Sequence, residues 1–141
     1  MHIFVFGSNL AGRHGKGDAL TARTHHGAIY GQGEGLQGRS YGLPTKDAGI
    51  KSLPFAEVEK SVGRFLEFAR ENPGMTFDIA AVGCRLAGFS PLQVAPLFAS
   101  APLNCYLHPL FAAVLRENGV QCLESPPPPE SPSSTQGSFS F

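Results

Sequence analysis

The opening of the chain constrains its fold more than any other segment. Residues 3–6 are continuously apolar and predict a strand over 2–6, which leads into a polar loop at 7–17 with four glycines. A short, uninterrupted apolar run is typical of a strand buried on both faces, as in a parallel sheet. Residues 17–26 predict a short helix that Gly27 ends, and the glycine-rich residues 27–39 predict a loop. A strand, a glycine loop and a helix in this order indicate a ligand of the nucleotide type.

Apolar strands and amphipathic helices alternate along the rest of the chain. The longest helical segment, 54–71, has apolar side chains at three- and four-residue steps. Helices are also predicted over 90–99 and 109–118, and strands over 40–44, 76–82, 103–107 and 120–123. This alternation predicts an α/β fold with a largely parallel central sheet.

The composition predicts one domain followed by a tail. The 141 residues include 11 basic and 11 acidic side chains, so no broad field for nucleic acid is expected. Residues 1–123 are expected to form the domain, and the Pro- and Ser-rich residues 124–141 to be disordered. The opening lacks the pattern of a signal peptide, and no apolar run approaches the ~20 residues of a spanning helix. A cytoplasmic protein without a membrane partner is therefore expected.

Three predicted strands end in loops suited to ligand binding, at 7–17, 44–47 and 83–89. Ligands of open α/β sheets bind outside the carboxyl ends of the strands. Glycines there let main-chain N–H groups approach a phosphate, although plain turn chemistry explains a single glycine loop as well. The first loop has neither the spacing of a P-loop nor the acidic ribose-binding residue of a dinucleotide fingerprint.

The sequence also contains residues for other kinds of site. The adjacent pair His25-His26 lacks the four-residue spacing of helical zinc ligands, so a metal site built with His14 and Asp47 is not expected. A thiol nucleophile would pair Cys84 with His14, but apolar neighbours favour buried, reduced thiols at Cys84, Cys105 and Cys122. The first loops are locally basic, which suits a phosphate-bearing ligand. Their cations are Arg13, His14, Lys16, Arg23 and Arg39.

The order of these motifs resembles a macrodomain, the ADP-ribose-binding fold. The closer similarity is to the branch of DNA ADP-ribosyl glycohydrolases and terminal ADP-ribose protein glycohydrolases. It extends over about residues 2–100, through Asn9, Gly15-Lys16-Gly17, Pro44-Thr45-Lys46 and Gly83-Cys84-Arg85-Leu86. The opening Phe-Gly-Ser-Asn-Leu-Ala-Gly also resembles that of uncharacterised phage and bacterial proteins.

The resemblance implies a three-layer α/β/α sandwich and a role for each matched residue. Lys46 would be the catalytic lysine, which attacks or polarises the anomeric carbon of an opened ribose. Asn9 would face the distal ribose, and the two glycine loops would approach the diphosphate. The ligand-binding residues implied in this way are Ser8, Asn9, Gly15, Lys16, Gly17, Gly83, Cys84, Arg85, Leu86, Ala87, Gly88 and Phe89.

The chain departs from the family's pattern at Arg85, where relatives have glycine, and at Ala87, where some have an acidic residue. It also lacks the usual upstream strands that read adenine, so the 31–38 glycine stretch is a candidate for another end of the ligand. Two functions follow from the resemblance. One is an ADP-ribosyl glycohydrolase, without cofactor or metal, acting on ADP-ribosylated protein or nucleic acid. The alternative is a non-catalytic binder of ADP-ribose or a related nucleotide.

Overall fold

The computed structural model describes residues 1–130 and combines strands and helices in alternation. The strands are β1 (His2–Asn9), β2 (Gly35–Gln37), β3 (Ser40–Lys46), β4 (Thr76–Ile79), β5 (Cys105–Leu107) and β6 (Leu123–Glu124). The helices are α1 (Gly17–His25), α2 (Phe55–Glu71), α3 (Pro91–Val94) and α4 (Pro109–Glu117), with a 3₁₀ helix over Ala95–Phe98.

The strands form one mixed sheet in the order β2-β3-β1-β4-β5-β6. All neighbouring pairs are parallel except β2 and β3, which are antiparallel. The predicted α/β class with a largely parallel sheet is therefore confirmed. Within residues 1–130, no helix is both long and apolar enough to cross a membrane.

Successive side chains of β1 point to opposite faces of the sheet, and each face has its own apolar cluster. Ile3 and Val5 pack in the larger cluster with α2, α4 and the 3₁₀ helix. Phe6 packs in the smaller one with Ala19 and Ala22 of α1. Small alanines let α1 lie close to the sheet, against Phe6 of β1.

The sheet order determines where a ligand site is expected. From β1 the chain passes through α1 to β3 on one side, and then through α2 to β4 on the other side of β1. The strand order therefore reverses at β1, and a crevice forms outside the carboxyl ends of β1 and β4 at such a switch point.

Several predicted boundaries differ from those of the structure. The strand predicted over 76–82 ends at Ile79, and residues 80–83 leave the sheet as a turn. The helix predicted over 90–99 is α3 followed by a 3₁₀ helix, because Pro96 has no N–H to continue the α-helical ladder. Strand β2 lies in the stretch 27–39, which was predicted to be a loop.

The fold extends past the predicted domain boundary at residue 123. Strand β6 ends at Glu124, and the Ser125 N–H donates to the Leu107 carbonyl at 2.7 Å. Pro127 is buried, and a carboxylate oxygen of Glu130 accepts the N–H of His2 at 2.8 Å. We call residues 125–130 the C-terminal strap. The expectation of disorder from residue 124 therefore does not hold as far as residue 130, and its remainder, 131–141, lies outside the described residues.

Candidate ligand site

A cavity of about 400 Å³ lies at the carboxyl ends of β1 and β3, beside the turn that follows β4. Its volume is within the range of about 300–1,000 Å³ that is typical of small-molecule sites. It occupies the switch point at which the strand order reverses. Its walls are the loop before α1, the end of β3 with the turn after it, and the loop after β4. The lining residues are Gly7, Asn9, Arg13, Gly15, Lys16, Gly17, Asp18, Ala19, Thr45, Lys46, Ile50, Ala81, Val82, Gly83, Arg85, Leu86 and Ala87.

The first wall is the loop between β1 and α1, and a buried amide fixes its shape. Asn9 Nδ2 donates to the Arg13 carbonyl and Asn9 Oδ1 accepts the Arg13 N–H, both at 2.9 Å. The loop then enters α1, where Lys16 is the N-cap and makes no side-chain capping bond. The first N–H groups of a helix have no partner within the helix. Those of Gly17, Asp18 and Ala19 belong to residues that line the cavity.

The second wall is the end of β3. A register shift between Ser8 and Asn9 brings Asn9 opposite Lys46, and the Leu10 N–H donates to the Lys46 carbonyl at 3.0 Å. Lys46 is half-buried, and its neighbour Thr45 is fully buried. Lys46 is thus held beside the loop that contains Arg13 and Lys16.

The third wall is the loop after β4. Gly83 has a φ of +79°, a conformation that L side chains rarely adopt. Its carbonyl accepts the Phe89 N–H at 2.8 Å, and the Phe89 ring packs on Phe55 with their centroids 5.7 Å apart. These contacts anchor the loop at both ends, so that Arg85, Leu86 and Ala87 between them border the cavity.

The charges around the cavity favour an anion. Four cations line it against a single carboxylate, that of Asp18. Within residues 1–130 none of the four takes part in an ion pair, whereas Lys60, Arg64, Arg70 and Arg116 do. These cations and the N–H groups at the start of α1 are groups of the kind to which phosphate and carboxylate oxygens bind. The four cations are Arg13, Lys16, Lys46 and Arg85.

Most of the residues that the sequence places in the site do border the cavity. These are Asn9, Gly15, Lys16, Gly17, Lys46, Gly83, Arg85, Leu86 and Ala87. Asn9, however, was expected to face a ribose, and its amide instead holds the main chain of Arg13. Within residues 1–130, that amide uses one of its two N–H donors and one of its two acceptor positions.

Four of the expected ligand-binding residues do not line the cavity. Ser8 points away from it and donates its hydroxyl to the Gly33 carbonyl. Cys84 packs against the apolar core, and burial raises the pKa of its thiol to about 11, which opposes a nucleophilic role. Phe89 also packs against the core, and Gly88 lies outside the lining.

Sequence reasoning missed several lining residues. Asp18 and Ala19 directly follow the Gly15-Lys16-Gly17 motif, and Thr45 precedes Lys46. Their positions next to these motifs in the sequence could have identified them as lining residues. Ala81 and Val82 were hidden because the strand was predicted to continue to residue 82. The sequence around Ile50 does not indicate a ligand site, since Ile50 reaches the cavity only through a turn that folds back along the chain.

The 31–38 glycine stretch supports the first loop and does not line the cavity. A β-carbon at Gly12 would overlap the main chain of Gly31 and Gln32, and one at Gly33 would overlap the Asn9 carbonyl. Absent side chains thus allow two backbone segments to pack in direct contact.

His14 joins the same support and is completely buried. Its Nε2 lies 2.9 Å from the Gln32 carbonyl and 3.2 Å from Gln37 Oε1. Both partners are acceptors, so Nε2 is the atom that carries the proton. Its ring also packs edge-on against the Phe6 ring, with the two ring centroids 5.2 Å apart. His14 therefore anchors the loop from beneath, between the cavity residues Arg13 and Gly15.

The candidate metal ligands are not brought together. His26 stacks on Phe4 with centroids 4.7 Å apart, while His14 is enclosed under the first loop. Among residues 1–130, no group of three or more His, Cys, Asp or Glu side chains has the arrangement of a metal site.

No protein-family model matches this chain, and neither a curated protein nor a solved structure matches it.

Proposed function

We propose that the cavity binds ADP-ribose, and that the chain is an ADP-ribosyl glycohydrolase with a macrodomain-like, three-layer α/β/α fold. The observation that carries the proposal is the set of four unpaired cations beside the start of α1. This arrangement at a switch point of an open sheet suits a diphosphate. The motif resemblance adds the specific ligand, because its Asn9, Gly15-Lys16-Gly17 and Lys46 all border this cavity.

In the proposed complex the diphosphate lies between the first turn of α1 and the loop after β4. Main-chain N–H groups of Gly17 to Ala19 donate to its oxygens, and the Arg85 guanidinium binds them from the opposite wall. The remaining surface is mostly apolar and suits the faces of a sugar or a base. It consists of Ile50, Ala81, Val82, Leu86 and Ala87.

Lys46 is the proposed catalytic residue. Its amine attacks or polarises the anomeric carbon of the ribose, and the bond between that carbon and the modified macromolecule breaks. Water supplies the new hydroxyl group of ADP-ribose, and the released group of the macromolecule takes up a proton. The substrate is therefore an ADP-ribosylated protein or an ADP-ribosylated nucleic acid.

A second candidate is a module that binds ADP-ribose without cleaving it. The observation that favours it is the chemistry of the lining, in which the Arg13 and Arg85 guanidinium groups are suited to binding an anion and not to cleaving a bond. Cys84 is a buried thiol outside the cavity, and the Asn9 amide is used within the first loop. The lining side chains left for proton transfer or covalent chemistry are then Lys16, Asp18, Thr45 and Lys46.

Thermal unfolding with increasing ADP-ribose tests the binding proposal first. Ligand at ~100 times its dissociation constant is expected to stabilise the fold by about 2.7 kcal/mol. No shift at any concentration would overturn both candidate functions.

Release of ADP-ribose from modified protein and modified nucleic acid then separates enzyme from binder. Lys46→Ala is expected to bind ADP-ribose but to lose release by a factor of about 100 or more. The matched control is Lys51→Ala, since Lys51 is an exposed lysine outside the cavity and its loss is expected to leave release unchanged. Binding by the unaltered protein without any release would favour the non-catalytic module.

A further inference from the structure

Ile50 lies in the turn that follows β3, in a main-chain conformation that its residue type rarely adopts. Its φ is +65°, and within residues 1–130 every other residue with a positive φ is a glycine. In this left-handed region a β-branched side chain crowds its own main chain, so the conformation is strained. Strained residues that the surrounding structure holds in place are found most often at ligand sites.

The hydrogen bonds of the turn show that this position normally belongs to glycine. The Ile50 N–H donates to the Asp47 carbonyl at 3.1 Å, and the Asp47 N–H donates to the Lys51 carbonyl at 2.7 Å. This is the pattern of a three-residue hairpin loop, in which a type I turn is followed by one left-handed residue. The glycine of this turn, Gly49, comes one position earlier and does not have a positive φ. Turn chemistry therefore does not explain why isoleucine occupies position 50.

Contacts on two sides hold the turn in this conformation. One oxygen of the Asp47 carboxylate accepts two N–H groups within the turn, at 2.8 and 2.9 Å. Ser52 forms an antiparallel bridge with Lys46, and its hydroxyl donates to the Ala87 carbonyl. The turn is therefore fixed both to the end of β3 and to the loop after β4.

The same turn makes Ile50 part of the cavity wall that contains Lys46. Ile50 is one of the lining residues, and 40% of its surface is exposed. Its N–H is used within the turn, so its aliphatic side chain is the group that it can offer to a ligand. A large apolar side chain with this much free surface gains free energy when a ligand covers it.

We propose that Ile50 is a specificity-determining residue, whose side chain packs on the carbon face of the ribose on which Lys46 acts. This assignment rests on the proposed function, because it requires ADP-ribose in the cavity. The aliphatic side chain removes C–H groups of the sugar ring from water, while α1 and the loop after β4 bind the diphosphate. The site thereby distinguishes ADP-ribose from ADP, which has the same adenosine and diphosphate but lacks this ribose.

Calorimetric titrations with ADP-ribose and with ADP test the assignment in the unaltered protein and in Ile50→Gly. The variant is expected to bind ADP-ribose about five- to tenfold more weakly and to bind ADP as the unaltered protein does. Glycine adopts a φ of +65° without strain, so the urea midpoint of the variant is expected to be equal or higher. Ile50→Asn is a second variant with the same expected loss, since asparagine also tolerates this conformation.

The matched control is Ala48→Gly, which adds a glycine to the same turn and keeps Ile50. Ala48 is exposed and does not line the cavity, so this variant is expected to bind both ligands as the unaltered protein does. A loss of ADP-ribose affinity in the control equal to that in Ile50→Gly would assign the effect to a looser turn and overturn the role of the side chain.

The remaining outcomes separate this assignment from the proposed function. If either Ile50 variant keeps the unaltered preference for ADP-ribose over ADP, the role of Ile50 is overturned and ADP-ribose binding stands. An equal loss of affinity for both ligands would place Ile50 on a part that they share, and it overturns the contact with the ribose. If the unaltered protein does not bind ADP-ribose, the assignment and the proposed function both fail.

Discussion

At the scale of single residues, three buried polar side chains hold the cavity's first loop in place. Asn9 binds both main-chain groups of Arg13, while His14 and Gln37 join the loop to the stretch that precedes β3. Gln37 Oε1 also accepts the Ile29 N–H at 2.8 Å. Each such bond, when broken, leaves a buried partner unpaired at a cost of about 1–3 kcal/mol. The loop is therefore formed before a ligand arrives, and binding does not have to order it.

Two glycines of this loop provide a matched test of its packing. Gly12→Ala places a β-carbon against the main chain of Gly31 and Gln32 at a φ of +69°, and is expected to cost at least about 2–3 kcal/mol of stability. Gly15→Ala meets no atom within 4 Å and is expected to change stability by about 0.5 kcal/mol or less. Urea denaturation measures both variants. Equal midpoints for the two would contradict the close backbone contact described here.

How far the sequence predicts the site is clearest in pairs of adjacent residues. Asn9 and Lys46, which the family resemblance assigns to the site, both border the cavity because each ends a strand at this edge of the sheet. Ser8 was misplaced because neighbours on a strand point to opposite faces, and no pattern in so short a segment shows which one faces a ligand. Cys84 was misplaced because the turn after β4 directs its thiol into the core.

At the scale of elements, the sequence predicts those that have strong periodicity and misses those that depend on distant partners. The amphipathic pattern of α2 predicts it to within one residue, as Phe55–Glu71 against 54–71. Strand β2 is glycine-rich, and it exists because it pairs with β3 and supports the loop beneath the cavity. Neither cause is local, so the glycines of 27–39 indicated only a loop.

The C-terminal strap is a second element that depends on distant contacts, and truncation tests its contribution. A chain ending at Glu124 keeps β6 but loses the Ser125 N–H bond to Leu107, the Ser125 hydroxyl bond to Asp78 and the burial of Pro127. We expect it to be about 1–3 kcal/mol less stable than a chain ending at Glu130. Urea denaturation of the two chains measures the difference. Coinciding curves would place the end of the domain at residue 124.

At the scale of the whole molecule, the distribution of charge matters more than its total. The chain has 11 basic and 11 acidic side chains, so its formal net charge is zero. This total does not show where the charged side chains lie in the fold. Within residues 1–130, the ion-paired lysines and arginines lie on α2 and α4, whereas four unpaired ones surround the cavity. Composition excludes a broad basic surface, but only the fold shows that four of the seven lysines and arginines without an ion pair in residues 1–130 surround one pocket. This convergence is the physical basis of the proposed anionic ligand.

The most direct test of this account is an NMR titration that follows every main-chain N–H during addition of ADP-ribose. The predicted result is a set of large shift changes at Gly15–Ala19 and at Gly83–Ala87, the two walls assigned to the diphosphate. Little change is predicted at Gly119–Leu123, which border a separate groove of about 530 Å³ that none of the four cavity cations lines. No changes at saturating ADP-ribose, or changes confined to that second groove, would contradict the account.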